Sequence, residues 1–117
     1  GIRSGTEEEY HFAKQNLHFY PFEVLEPLKK CMKELDGRPI HVTLDIDVLD
    51  PAYACATGTP EAGGISSKEM IDTILLLSSL QIVGFDLVEV SPVYDVADRT
   101  SLLAAKLIRE MMLAVSK

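Results

Sequence analysis

The chain of 117 residues has no tryptophan, two cysteines and no apolar run long enough to cross a bilayer. Because a membrane-spanning helix needs about 20 consecutive apolar residues, we expect no membrane partner. Cys31 and Cys55 form neither a disulfide framework nor a zinc motif, which favours a reducing, cytoplasmic location. With 47% apolar and 25% charged residues, the composition is typical of a globular protein, and the length suits one domain.

Positive charge is also scarce. The chain carries 11 Lys and Arg against 18 Asp and Glu, a formal net charge of −7, which argues against binding to nucleic-acid phosphates. No Lys or Arg lies between Pro39 and Ser67, a stretch that contains Asp45, Asp47 and two further acids. Such a stretch would attract a cation, although a solvated acidic loop is the alternative.

Hydrophobic spacing and two predicted capping boxes, Thr6 with Glu9 and Ser66 with Glu69, indicate two helices followed by strand, helix, strand, helix. The predicted helices cover about residues 6–16, 22–35, 66–80 and 97–115, and the predicted strands cover 40–47 and 82–90. This order indicates an α/β fold with parallel strands. The apolar second strand and the apolar last helix predict strands covered on both faces and a buried final helix.

The predicted elements do not make a complete domain. Two strands cannot cover four helices, and a parallel sheet usually has several strands. We therefore interpret residues 1–117 as a single incomplete α/β domain, whose remaining strands come from an absent segment or from a second copy of the chain.

Acidic residues end both predicted strands, where open α/β sheets bind their ligands. Asp45 and Asp47 are two residues apart, so a strand would place their side chains on one side, with Cβ atoms about 6–7 Å apart. Two carboxylates this close repel each other unless a cation lies between them or one is protonated. Mg²⁺ and Mn²⁺ prefer such oxygen ligands. Alternatively, one Asp caps a loop and the other is solvated.

Glu89 and Thr59 are further candidates. Glu89 ends the second strand, where a carboxylate could pair with an arginine or receive a cationic substrate group. Thr59 lies in a glycine-rich loop, residues 57–64, and offers its hydroxyl to a ligand or to a turn amide. Asp86 falls on the opposite strand face and is expected to support structure.

The remaining reactive residues are assigned no chemistry. The histidines are interpreted as structural or surface residues, and Cys55 has no recognisable base to activate it as a nucleophile. These histidines are His11, His18 and His41.

Several segments together resemble the ureohydrolases, the arginase and agmatinase family. Thr43-Leu44-Asp45-Ile46-Asp47-Val48-Leu49-Asp50-Pro51, with Gly58-Thr59-Pro60, Gly63-Gly64 and Glu69, is similar to the third signature of that family. Val88-Glu89-Val90-Ser91-Pro92 resembles its later Glu motif, Gly1-Ile2-Arg3-Ser4 a segment common in agmatinases, and residues 100–108 their C-terminal helix. Two positions depart from the usual pattern, since Thr43 replaces a serine and Cys55 a proline.

The resemblance implies the C-terminal portion of an arginase-like parallel-sheet α/β domain. It further implies a site with two Mn²⁺ ions, whose bridging hydroxide attacks a guanidinium carbon and releases urea. By motif position, Asp45 and Asp47 would be metal ligands and Glu89 would bind the substrate guanidinium. Thr59 would contact the substrate or the Asp–metal shell, and Asp50 with Pro51 would shape the loop.

The family's first two signatures, which carry the ligand histidines and further aspartates, do not occur in this sequence. About half of the metal ligands are therefore missing, and we expect weak Mn²⁺ binding and no activity from this chain alone. The complete enzyme is predicted to hydrolyse agmatine to putrescine and urea, a step of polyamine biosynthesis.

Three alternatives stay open. The chain could be a non-catalytic fragment or subunit that forms a homo-oligomer through its open sheet edge. The complete enzyme could act on arginine or another guanidino acid. A haloacid-dehalogenase-type phosphatase also uses Asp-x-Asp after an apolar strand, but it needs Thr or Val where Leu49 stands.

Overall fold

The computed structural model describes residues 1–116, and these form four α-helices and a two-stranded parallel sheet. The helices are α1 (Glu7–Asn16), α2 (Leu25–Leu35), α3 (Ser67–Leu77) and α4 (Arg99–Val115); the strands are β1 (Pro39–Asp45) and β2 (Gln81–Val88). Their order confirms the predicted α/β pattern. Among the described residues, no helix combines the length and the apolar character needed to cross a membrane.

The two strands run parallel, as predicted. Their register pairs Pro39 with Gln81 at the start and Asp45 with Val88 at the end, with one irregularity after Ile40. The carboxyl ends of both strands therefore meet at the same edge of the sheet. Within residues 1–116, β1 pairs only with β2, so its other edge is open.

The core lies where α3 and α4 pack together against one face of the sheet. Its most deeply buried apolar side chains are Ile46, Leu49, Ile74, Leu107 and Met111. The other sheet face exposes His41 and Thr43, and the outer side of α4 leaves Leu102 67% and Met112 62% exposed. The prediction of fully covered strands and a buried final helix was wrong, because no described segment packs on these surfaces.

Capping contacts explain where two helices begin. Thr6 and Glu9 form the predicted capping box of α1, with the Glu9 amide 3.3 Å from the Thr6 hydroxyl and the Thr6 amide 2.7 Å from the Glu9 carboxylate. Ser66 accepts the Glu69 amide at 3.1 Å to start α3. The Glu69 carboxylate does not return this contact and instead accepts the Leu25 amide at 3.5 Å, which links α3 to the start of α2.

Helix α4 begins two residues later than predicted. Ala97 and Asp98 have positive φ angles of 61° and 55°, which a right-handed helix excludes. The Asp95 carboxylate caps the helix by accepting the amides of Thr100 and Ser101 at 3.0 and 2.7 Å. Helix α2 begins three residues later than predicted, and helix α3 ends three residues earlier than predicted.

Candidate active site

The end of β1 turns more sharply than the sequence predicts. The strand stops at Asp45, and Ile46–Val48 forms a single 3₁₀ turn that buries Ile46 completely. The Asp45 Oδ1 atom accepts the Asp47 amide at 3.0 Å. The strand-alternation argument for Asp45 and Asp47 was therefore wrong, because Asp47 lies beyond the strand. Both residues nevertheless line one cleft.

Thr59 lies beside Asp47. Its hydroxyl donates to the Asp47 Oδ2 atom at 3.3 Å, although the two residues are 12 positions apart. The glycine-rich loop is thus folded back over the end of β1, and the Thr59 hydroxyl reaches a candidate metal ligand rather than a turn amide.

Glu89 lies just beyond the end of β2, which stops at Val88 rather than at Val90. Its backbone has a positive φ of 68°, which is uncommon for a residue other than glycine, and its side chain is exposed. Because it is exposed, the carboxylate does not bear the burial cost expected for the end of an apolar strand. Within residues 1–116 it forms no ion pair with an arginine.

The glycine-rich loop brings Glu89 towards the other acids. A Cβ atom at Gly58 would lie 3.9 Å from the Glu89 Oε2 atom. The Ser91 amide donates to the Ala56 carbonyl at 2.9 Å, which joins the segment after β2 to the start of this loop. Thr59, next to Gly58, therefore lies between the ends of the two strands.

The electrostatic environment of Asp45 shows that these acids influence one another. Partial burial raises the pKa of Asp45, and the nearby Asp47 and Glu89 carboxylates raise this pKa further, while the hydrogen bond from the Asp47 amide opposes the shift. An ionised Asp45 is thus incompletely compensated within the chain. A bound cation would relieve this repulsion.

A cleft of about 760 Å³ lies beside β1 and contains three of the four predicted site residues, Asp45, Asp47 and Thr59. Glu89 is not part of its lining. Much of the remaining wall is apolar and comes from α2, α3 and β1, with Leu28, Val42, Met70 and Ile74 among its residues. The cleft therefore joins an acidic strand end to an apolar wall.

Contacts through Asp50 and Gly64 hold the glycine-rich loop against the turn. The Asp50 carboxylate accepts the amides of Ala52 and Gly63, both at 2.9 Å, and Leu49 forms a bridge with Ile65. A Cβ atom at Gly64 would lie 2.4 Å from the Asp50 backbone nitrogen, so only glycine fits there. These contacts fit the loop-shaping role expected of Asp50.

Asp86 forms a separate polar cluster. Its carboxylate accepts the Thr43 hydroxyl at 2.5 Å and lies 2.8 Å from the His41 Nε2 atom. This agrees with the supporting role predicted for Asp86 and the structural role predicted for His41. His18 lies 3.3 Å from Glu34 at the surface, and His11 is exposed.

The described residues do not by themselves supply a complete metal shell. Within residues 1–116, no three His, Cys, Asp or Glu side chains are grouped so that they could hold a metal ion. Asp45 and Asp47 offer hard oxygen donors that suit Mn²⁺ or Mg²⁺, so they fit as part of a shell.

Arg3 is the residue that the sequence did not identify. Its guanidinium donates to the carbonyl of Asp47 at 2.5 Å and to that of Glu61 at 2.7 Å. The segment Gly1-Ile2-Arg3-Ser4 resembles agmatinases and favours agmatine as the substrate, but the sequence assigns Arg3 itself no contact. Within residues 1–9 the other charged residues are all glutamates, and a single arginine among them is a pattern that could have drawn attention to Arg3.

Carboxylates at the shared carboxyl edge of two parallel strands define an α/β protein with a candidate cation site. The model of the arginase family matches residues 1–114, and the chain belongs to the arginase family. This family match confirms the ureohydrolase resemblance and favours it over the phosphatase alternative.

Curated relatives support the same family. An agmatinase of Bacillus anthracis is 56% identical over 97% of this chain and 40% of its own length. The mitochondrial guanidino acid hydrolase of Homo sapiens is 47% identical over 73% of this chain and 24% of its own length. The chain thus spans about 40% of the length of the agmatinase that it matches.

Solved structures confirm the fold. The arginase of Bacillus caldovelox superposes with a TM-score of 0.80 at 28% identity, covering 93% of this chain and 40% of that protein. The proclavaminate amidino hydrolase of Streptomyces clavuligerus has a TM-score of 0.71 at 40% identity, covering 78% of this chain and 31% of that protein. The predicted arginase-like α/β fold is therefore correct.

Proposed function

We propose that the complete protein is a cytoplasmic, Mn²⁺-dependent ureohydrolase that converts agmatine into putrescine and urea. The observation that carries the proposal is the grouping of Asp45, Asp47 and Thr59 at one strand end, with Glu89 at the next. The 56% identity to an agmatinase supports agmatine as the substrate.

Asp45 and Asp47 would hold the metal. One oxygen of Asp45 accepts the Asp47 amide, and its other oxygen has no hydrogen-bond donor among the described residues, which leaves it available to an ion. When bound, two Mn²⁺ ions would supply a water molecule of lowered pKa as the nucleophile. The remaining ligands would come from the part of the relatives that this chain does not match.

Glu89 and Thr59 would handle the substrate. An exposed carboxylate without an ion-pair partner in the described chain can accept two parallel hydrogen bonds from a guanidinium. Thr59 keeps the Asp47 carboxylate in place through its hydroxyl and lines the same cleft, so it could also contact the substrate.

The charges of the site favour agmatine over arginine. Asp45, Asp47 and Glu89 are all acidic, and in the described chain the guanidinium of Arg3 is bonded to backbone carbonyls. A substrate without a carboxylate would meet no repulsion here. Similarity to the human guanidino acid hydrolase makes another guanidino acid the second candidate.

A chimera tests the proposal. The part of the Bacillus anthracis agmatinase that this chain does not match is fused to residues 1–117, and urea release from agmatine and from arginine is measured with Mn²⁺. We expect turnover of agmatine by the chimera and none by the isolated chain. The expected turnover falls about a hundredfold or more in Asp47→Asn and Glu89→Gln.

Asp36→Asn serves as a matched control, because Asp36 is an exposed acid at the end of α2 whose side chain forms no hydrogen bond or ion pair with the described residues. Unchanged turnover in Asp47→Asn, or turnover by the isolated chain, would contradict the proposal. Faster turnover of arginine than of agmatine would reject agmatine as the preferred substrate.

Self-association remains a second proposal, compatible with the first. The open edge of β1 and the exposed apolar side of α4 favour pairing with another copy of the chain. Sedimentation of the isolated chain tests it, and a monomer across the concentration range would reject it.

A further inference from the structure

Arg3 gathers carbonyl groups from three separate segments of the chain. One terminal nitrogen donates to Gly1 at 3.0 Å and to Val48 at 3.1 Å. The other donates to Asp47 at 2.5 Å and to Glu61 at 2.7 Å. The N-terminal segment, the 3₁₀ turn and the glycine-rich loop therefore meet at a single guanidinium.

These contacts stabilise the positive charge of Arg3 through carbonyl oxygens and not through a direct ion pair. Among the described residues Arg3 has no ion-pair partner within salt-bridge distance, and its Nε atom is buried without a hydrogen bond. Oriented carbonyl dipoles surround the charge instead. A rigid fork of five donors is suited to several acceptors at once, whereas an ammonium group is a compact point charge.

The contacts of Arg3 form a ring with those of Asp47 and Thr59. Asp47 is held through its carbonyl by Arg3 and through its carboxylate by the Thr59 hydroxyl. Arg3 also holds Glu61, which lies two residues after Thr59 in the same loop. A shift of the loop would therefore break contacts on both sides of Asp47.

We propose that Arg3 is a positioning residue that fixes the Asp47 turn relative to the loop carrying Thr59. The importance of these two residues for chemistry rests on the proposed function. The coupling of turn and loop through Arg3 does not require metal, substrate or turnover, so the two proposals can fail separately.

Amide hydrogen exchange of the 117-residue chain tests the inference. The reporters are three amides that join turn and loop: Asp50 to Ile65, Gly63 to Asp50, and Ile65 to Val48. In Arg3→Gln we expect these amides to exchange about tenfold faster or more. The Arg3 hydrogen bonds are absent from this variant, so the local opening that permits exchange costs less free energy. Amides of α4 serve as the internal reference and should keep their rates.

Two further variants sharpen the test. Arg3→Lys keeps the charge but cannot reach carbonyls in three segments, so we expect it to restore less than half of the lost protection, on a logarithmic scale. Arg38→Gln is the matched control at an exposed arginine, and it should leave all reporters unchanged. The amide resonances of Asp47 and Thr59 should shift together in Arg3→Gln, while those of Thr43 and Asp86 stay in place.

Three results would overturn the inference. They are unchanged reporter exchange in a folded Arg3→Gln variant, full restoration by lysine, and equal loss of protection in α4 and the loop. The last result would show that Arg3 stabilises the whole fold. If the chimera releases no urea while the exchange pattern is as expected, the proposed function fails and the positioning role stands.

Discussion

Two acidic residues on the same small sheet, Asp86 and Asp45, have opposite environments. Hydrogen bonds from Thr43 and then His41 lower the pKa of Asp86. Burial, followed by repulsion from Asp47 and Glu89, raises the pKa of Asp45. Asp86 is thus satisfied by its neighbours, whereas Asp45 is not. Such uncompensated groups are concentrated at functional sites, because function and stability place different demands on them.

The largest expected effect lies where the glycine-rich loop packs against the turn after β1. Gly64→Ala places a methyl group 2.4 Å from the backbone of Asp50, and neither side can move cheaply. We expect the free energy of unfolding to fall by about 3 kcal/mol, measured by denaturant titration.

Gly63→Ala is the matched control for Gly64→Ala. This position has a positive φ of 83° but open space around the missing Cβ atom, so only backbone strain of about 1 kcal/mol is expected. Equal losses in the two variants would show that loop conformation, and not the close approach to the turn, matters at Gly64.

The second prediction concerns the opposite pKa shifts of Asp45 and Asp86. Asp45→Asn removes an uncompensated charge while its oxygen can still accept the Asp47 amide, so we expect a higher melting temperature at neutral pH and weaker Mn²⁺ binding. Asp86→Asn should lower the melting temperature. Calorimetry and Mn²⁺ titration followed by electron paramagnetic resonance measure both effects, and a lower melting temperature for Asp45→Asn would contradict the comparison.

The third prediction concerns acid unfolding. Hydrogen bonds from the Ala52 and then the Gly63 amide lower the pKa of Asp50, and those to Asp86 lower its pKa as well. Their contribution is complete above the ordinary carboxyl pKa range and is lost as pH falls through their folded pKa values. Asp45 contributes in the opposite direction. Because its pKa is raised in the folded state, its contribution to the free energy of unfolding becomes more favourable as pH falls through that pKa.

Asp45→Asn should therefore enlarge the loss of stability between neutral and acid pH, since the compensating group is gone. Urea unfolding at a series of pH values measures this. A smaller loss in Asp45→Asn than in the parent chain would mean that the folded pKa of Asp45 is not raised.

The smallest expected effects lie at Thr43. Thr43→Val removes the hydroxyl that donates to Asp86, so the pKa of Asp86 should rise towards its ordinary value. Thr43→Ser keeps the hydroxyl and should leave this pKa unchanged, with stability altered by about 0.5 kcal/mol or less. Titration followed by NMR of the Asp86 carboxyl resolves the two variants.

Local patterns predicted much of the fold. Alternation in β1 separates the inward Val42 and Leu44 from the outward His41 and Thr43, and the α1 capping box forms as expected. The second capping box shows the limit of local reasoning. Ser66 caps α3, but Glu69 contacts the start of α2, a partner 44 residues away.

The candidate site was predicted less completely than the fold. The strand ends and the glycine-rich loop indicated its four residues as candidates, and the resemblance to a family supplied their roles. The structure places three of the four in one cleft. The turn after Asp45 was not predicted, because it depends on burying Ile46 in a core built by α3 and α4. Covered surfaces were overpredicted on α4, because helical spacing shows which side is apolar and not whether anything packs there.

The sequence alone determines three features of this protein, because they depend on neighbouring residues and short motifs. These are the order of helices and strands, the acidic strand ends and the likeness to the arginase family. The meeting of Asp47, Thr59 and Arg3 is a property of the tertiary structure. These residues are 12 to 56 positions apart along the chain, and only the packing of turn, loop and N-terminal segment brings their polar atoms within hydrogen-bonding distance.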